Sequence, residues 1–143
     1  MDNLFLGTVK YDKVNEEGLT QKVSEKYLFN ALSFTDAEAV LAKEMEPFIS
    51  GWFEIAEIKK QHVSELFESG IAGDKWYIVK AAFISIDEKS GKEKRNICRF
   101  YQQAATLEEA VKLFSKELAS SMSDWMLVSV SETQIMDYFK EAE

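Results

Sequence analysis

The chain holds one histidine and one cysteine, and these set the first limit on its chemistry. His62 has no second histidine and no cysteine near it in sequence. A zinc or non-haem iron site built on imidazole is therefore not expected. Cys98 lies between Ile97 and Arg99 in an alternating stretch, and its half of the chain supplies no histidine to activate a thiolate. Carboxylates are plentiful, with 25 Asp and Glu. Asp36, Glu38, Glu44, Glu46, Glu108, Glu109 and Glu117 could bind Mg²⁺ or act as acid and base if they converged on a cleft. They fall instead on the polar faces of amphipathic stretches, where Asp36, Glu108 and Glu109 complement helix N-termini. No Walker A sequence, no G-x-G-x-x-G and no G-x-S-x-G occurs. The expectation is a non-enzymatic chain, with no catalytic residue, metal or cofactor.

The basic residues are placed with more order. Residues 4–31 hold four Lys against four acids, whereas residues 74–104 hold seven Lys or Arg against four, a net +3. The rest of the chain carries −11, so acid is segregated away from these two stretches. Lys22 and Lys26 stand four apart, and so do Arg95 and Arg99. Alternation in extended chain would set Lys10, Lys22 and Lys26 on one sheet face. It would set Lys80, Arg95 and Arg99 on another, with Trp76 and Tyr101 among them. Cations that follow a phosphate backbone, with rings on which bases stack, suit single-stranded nucleic acid. Two other readings fit the same residues. The cations could decorate a solvated face and guard strand edges, or Trp76, Ile78 and Tyr101 could join the two halves of the chain. A protein-interaction module, binding a partner or a second copy, is the functional alternative.

These side chains need elements to hold them, and the chain reads as a duplication. At an offset of 73, Gly18 falls on Gly91, Ala31 on Ala104, Ala37 on Ala110, Lys43-Glu44 on Lys116-Glu117 and Trp52 on Trp125. After a one-residue slip, Ile58 meets Val130 and Phe67 meets Phe139. Each copy reads β-β-α-β followed by a short helix. "LFLGTVKYDK" and "LTQKVSEKYLFNA" form one hairpin, "WYIVKAAFISI" and "KEKRNICRFYQQA" the other. Gly18 and Gly91 close the turns, where a positive φ favours glycine. Ser33 and Thr106, each with an acid three residues on, cap helices over "FTDAEAVLAKEM" and "LEEAVKLFSKEL". Pro47 ends or bends the first near its C-terminus. "WFEIAEI" and "WMLVSVS" return as strands, and "HVSELF" and "QIMDYF" read as short amphipathic helices. The expected fold is α+β: two repeats, 1–67 and 76–143, joined by a linker at 68–75. One helix would pack on one face of each antiparallel sheet, and a pseudo-two-fold would relate the copies.

Composition agrees with a packed protein: 46% of the 143 residues are apolar and 13% aromatic. The net charge of −8 argues against indiscriminate polyanion binding by the whole molecule. The opening "MDNLFLGTVK" lacks the basic and apolar regions of a signal peptide, and no run suits a membrane span. A lone cysteine forms no internal disulfide. A cytoplasmic, soluble protein with no membrane partner is expected.

"VKYDKVNEEGLTQKVSEKYLFNALSFTDAEA", "EMEPFISGWFEI" and "VSETQIMDYFKEAE" resemble a family of small proteins from Bacteroidetes and their phages, catalogued only as a domain of unknown function. The resemblance covers nearly the whole chain and implies a bacterial or phage, intracellular setting. It brings no catalytic residues. The chain departs from the family pattern at its opening, where Leu4-Phe5 and then Gly7 stand in place of an aromatic pair. The duplicated plan is also similar to single-strand DNA-binding proteins of the Whirly and Pur type. Their repeats, however, run four strands before one helix, whereas here a helix follows two strands.

Overall fold

The computed structural model describes residues 3–140. Alternating apolar residues and a Gly-closed turn give each hairpin. Strands β1 (Leu4–Val14) and β2 (Thr20–Asn30) pair antiparallel, as do β5 (Lys75–Ile86) and β6 (Glu93–Ala104). The turns are held by local side chains. Asn15 Oδ1 accepts from the N–H groups of Glu17 and Leu19, and Asp87 Oδ1 accepts from Lys89 N–H. That bond, with help from Ser90, holds the Asp87 carboxyl below its usual range. Gly18 and Gly91 take φ of 82° and 69°, the left-handed conformation expected of them.

Helices α1 (Phe34–Met45) and α2 (Leu107–Glu117) start at the expected caps. Ser33 Oγ accepts from Asp36 N–H and Thr106 Oγ1 from Glu109 N–H, both at 3.1 Å. Asp36 reaches back to Leu32 N–H rather than to the cap residue itself. Helix α1 stops at Met45, two residues before Pro47. It lays Ala37, Leu41 and Met45 on Phe5, Val9 and Phe29 of its sheet. Helix α2 buries Ala110 against Tyr77 and Ala104, and Phe114 against Val79 and Phe100. Phe114 also meets Phe67 and Trp125 edge-on, with centroids 6.1 and 5.9 Å away.

Strands β3 (Phe53–Lys60) and β7 (Asp124–Glu132) join the outer edges of β1 and β5. Residues 62–67 and 134–139 do not form the short helices expected of them. They contain strands β4 (Glu65–Phe67) and β8 (Ile135–Phe139). A six-residue helix has too few hydrogen bonds to stand alone. The edges of β2 and β6, by contrast, offer unpaired backbone groups. Strand β8 takes the edge of β2 and β4 takes the edge of β6, both parallel, so the sheets are mixed rather than antiparallel. The orders are β3-β1-β2-β8 and β4-β6-β5-β7.

The pairing is therefore exchanged. The strand that follows β3 completes the sheet of β5, and the strand that follows β7 completes the sheet of β1. Two compact units result. The β5 unit is Val63–Thr133, and the β1 unit combines the stretch ending at His62 with the stretch beginning at Gln134. Phe139 stacks on Tyr27 at 5.0 Å and Asn30 Nδ2 donates to Tyr138 Oη at 2.5 Å, which ties β8 to β2.

Candidate nucleic-acid interface

Each sheet has a face turned from its helix, and the expected cations stand there. In the β5 unit the strand register sets them in three rows across β6, β5 and β7. Arg99, Lys80 and Ser129 form one row, Ile97, Ala82 and Met126 the next, and Arg95, Ile84 and Asp124 the last. Lys80, Arg95 and Arg99 are all exposed. Lys80 and Arg99 are direct cross-strand partners. Among the described residues neither has an acidic side chain within ion-pair distance. Ile97 is 59% exposed and Met126 44%, so an apolar strip separates that pair from Arg95, whose Nη2 sits 3.2 Å from Met126 Sδ.

Trp76 and Tyr101 share this face but not its exposure. Each is 1% accessible, which corrects the expectation that they interleave with the cations as open stacking platforms. Trp76 pairs with Gln103, while Tyr101 lies between Ile78 and Leu66 in the register. Withdrawing two large rings from water stabilises the fold by about 2 kcal/mol or more each. Burial pushes the Tyr101 phenol up, with Arg99 opposing the shift.

The β1 unit differs in charge. Asp12 stands opposite Lys22, Glu54 opposite Lys10, and Glu57 and Lys26 flank Thr8. Lys10 and Lys22 are exposed and Lys26 is half-buried. Each cation here has an acid in its own cross-strand row, so this face is close to neutral, unlike the Lys80–Arg99 row.

At the open end of this face is a hollow of about 370 Å³. Lys10, Asp12, Lys22, Ser24, Glu54 and Trp52 line it, with Tyr11 and Val23 completing the wall. Trp52 is 75% exposed and was not among the residues expected from sequence. The signal was present but assigned to the wrong position. Sequence matching sets Trp52 on Trp125, yet Trp125 pairs with Phe83, and the residue paired with Tyr11 is Phe53. The one-residue slip reverses the side chain's face. Trp125 turns toward Phe114 and α2, and Trp52 toward Lys10 and Glu54.

On the helix-facing side of the same strands, Tyr11 and Tyr27 both donate hydroxyl protons to Glu25 Oε1. Burial, then the Glu25 hydrogen bond and charge, raise the Tyr11 phenol from 10.0 to about 12. Burial and the Glu25 charge raise Tyr27 as well. Both phenols stay protonated at neutral pH, and the trio acts as a hydrogen-bonded brace across β1 and β2. Cys98 is half-buried on the α2 side beside the Phe100 cluster, and His62 is exposed. Among the described residues no three His, Cys, Asp or Glu side chains gather closely enough to hold a metal ion, and no helix is long and apolar enough to cross a membrane.

Fold and surface define an α+β protein of two compact units, each a four-stranded mixed sheet carrying one helix, with exposed cations on the opposite face. The family model for Domain of unknown function (DUF4494) matches residues 3–141, and the chain belongs to that family. No curated protein and no solved structure matches it.

Proposed function

We propose that the chain is a non-enzymatic accessory protein that binds single-stranded nucleic acid through the outer face of the β5 unit. The observation that carries this reading is the Lys80–Arg99 pair. Like charges placed directly opposite across two strands destabilise a sheet. A phosphate between them converts that repulsion into attraction, and binding releases counterions from the strand. The apolar strip of Ile97 and Met126 gives bases a surface on which to lie before Arg95 takes the next phosphate. The test is fluorescence anisotropy with labelled single-stranded DNA and RNA at low salt. Binding should weaken with salt, and Lys80→Ala with Arg99→Ala should flatten the log–log salt slope by about 1.4, two phosphate contacts at about 0.7 each. No binding to either strand at low salt overturns the proposal.

One observation favours a second reading, a protein-interaction module that joins a partner or a second copy. The same face exposes Ile97 and Met126 near Ile84, an apolar surface that a protein could cover. Light scattering over a range of concentrations separates the cases, because a strict monomer excludes self-association. An internal duplication belongs to the same proposal. It is supported by the matching strand orders and by register shifts at Thr8/Val9 and Lys80/Ala81, 72 positions apart. A cytoplasmic, Bacteroidetes or phage setting would suit such an accessory role.

A further inference from the structure

The geometry points to a second site, in the β1 unit: the Trp52 hollow binds a nucleoside phosphate, with its base stacked on the indole. The side chains match the parts of such a ligand one by one. Trp52 offers a bare ring face at 75% exposure, unusual for the residue type with the largest apolar surface to hide. A base is planar and stacks on such a ring whatever its identity. Asp12 and Glu54 border the hollow as acceptors for an exocyclic amine, the role carboxylates take toward cytosine N4. Lys10 and Lys22 supply ammonium groups for a phosphate, and Ser24 adds a hydroxyl for the sugar.

Charge also favours this class of ligand over a bare anion or a bare cation. Two lysines and two carboxylates ring the hollow, and no ion pair joins them among the described residues. A ligand with an anionic end and an amine-bearing planar end satisfies both kinds of group at once. The volume of about 370 Å³ lies within the range of about 300–1,000 Å³ typical of small-molecule sites. The ligand is either a free nucleotide or one nucleotide of a strand, and the chemistry is shared.

The experiment uses the full chain and its tryptophan fluorescence, titrated with AMP, CMP, ribose 5-phosphate and a short single-stranded oligonucleotide. Trp52→Ala identifies the Trp52 part of the signal, since Trp76 is buried and Trp125 packs on Phe114. The substitution removes an exposed side chain, and circular dichroism checks that the fold is kept. Saturable quenching by AMP or CMP in the parent, together with an affinity by isothermal titration calorimetry that falls at least about fivefold in Trp52→Ala and is partly restored in Trp52→Phe, supports the site. Quenching by the oligonucleotide alone assigns the site to a strand and also supports it. No Trp52-dependent quenching by any nucleotide or strand overturns it, as does equal affinity for ribose 5-phosphate. The Lys80→Ala, Arg99→Ala protein keeps the Trp52 response if this site exists, so its failure is separable from failure of the β5-unit interface.

Discussion

Gly7 gives the sharpest quantitative test of the packing. It sits on the helix-facing side of β1, and a Cβ built there would lie 2.3 Å from Leu41 Cδ2 and 3.0 Å from Phe29 Cε1. Carbon atoms in contact prefer about 3.5–4.0 Å, so α1 or the Leu41 side chain must retreat by more than about 1 Å. Neither neighbour has room, because Leu41 and Phe29 are both fully buried. Overpacking of this kind costs about 1–3 kcal/mol, and the entropy gained by replacing glycine offsets about 0.4–1 kcal/mol. Gly7→Ala should therefore lose about 1–2 kcal/mol in equilibrium urea unfolding followed by circular dichroism. Leu41→Ala alone should cost about 2–5 kcal/mol through its cavity. The double variant should cost clearly less than the sum, because the new methyl enters the space that leucine leaves. Additive losses, or a Gly7→Ala protein within about 0.5 kcal/mol of the parent, would refute the close approach of α1 to β1.

Two further outcomes follow from the brace and from β8. Phe139→Ala removes the ring stacked on Tyr27 and should cost about 2 kcal/mol for a half-buried aromatic; hydrogen exchange should then quicken in β2 from Lys26 to Phe29, and unchanged protection there would contradict the exchanged pairing. The Tyr11 phenol titrates at about 12 folded against 10.0 unfolded, so its contribution is complete below pH 10 and declines as pH rises toward 12. Thermal melts of the parent should accordingly fall more steeply above pH 10 than those of Tyr11→Phe, and parallel curves would remove the brace from the account.

What the sequence disclosed was local. Gly18 and Gly91, the Ser33 and Thr106 caps, the hairpins and the two long helices follow from residue type within a few positions. Residues 62–67 and 134–139 read as helices because their apolar residues, such as Val63, Leu66 and Phe67 at i, i+3 and i+4, fall at helical spacing in runs too short for periodicity to decide. What decided them was an open strand edge far away in sequence. The cations Lys80, Arg95 and Arg99 took the face that alternation gives them. Alternation says which face a residue joins but not how much of that face is exposed. Hence Trp76 and Tyr101 went to the expected face yet are buried, and Trp52 was hidden by a slip of one residue.

The exchange of β4 and β8 has a consequence for synthesis. The β1 sheet waits for a strand that lies more than a hundred residues downstream, as the Asn30–Tyr138 bond across 108 positions shows. A nascent chain that has emerged only through β7 holds every strand of the β5 sheet, while the edge of β2 is still bare. The β5 unit is thus complete in sequence before the β1 unit, which needs both ends of the chain. Until residues 135–139 arrive, β2 exposes an edge to neighbouring chains, the setting in which sheet proteins aggregate. A chain truncated just short of Ile135 would carry one complete sheet and one adhesive edge.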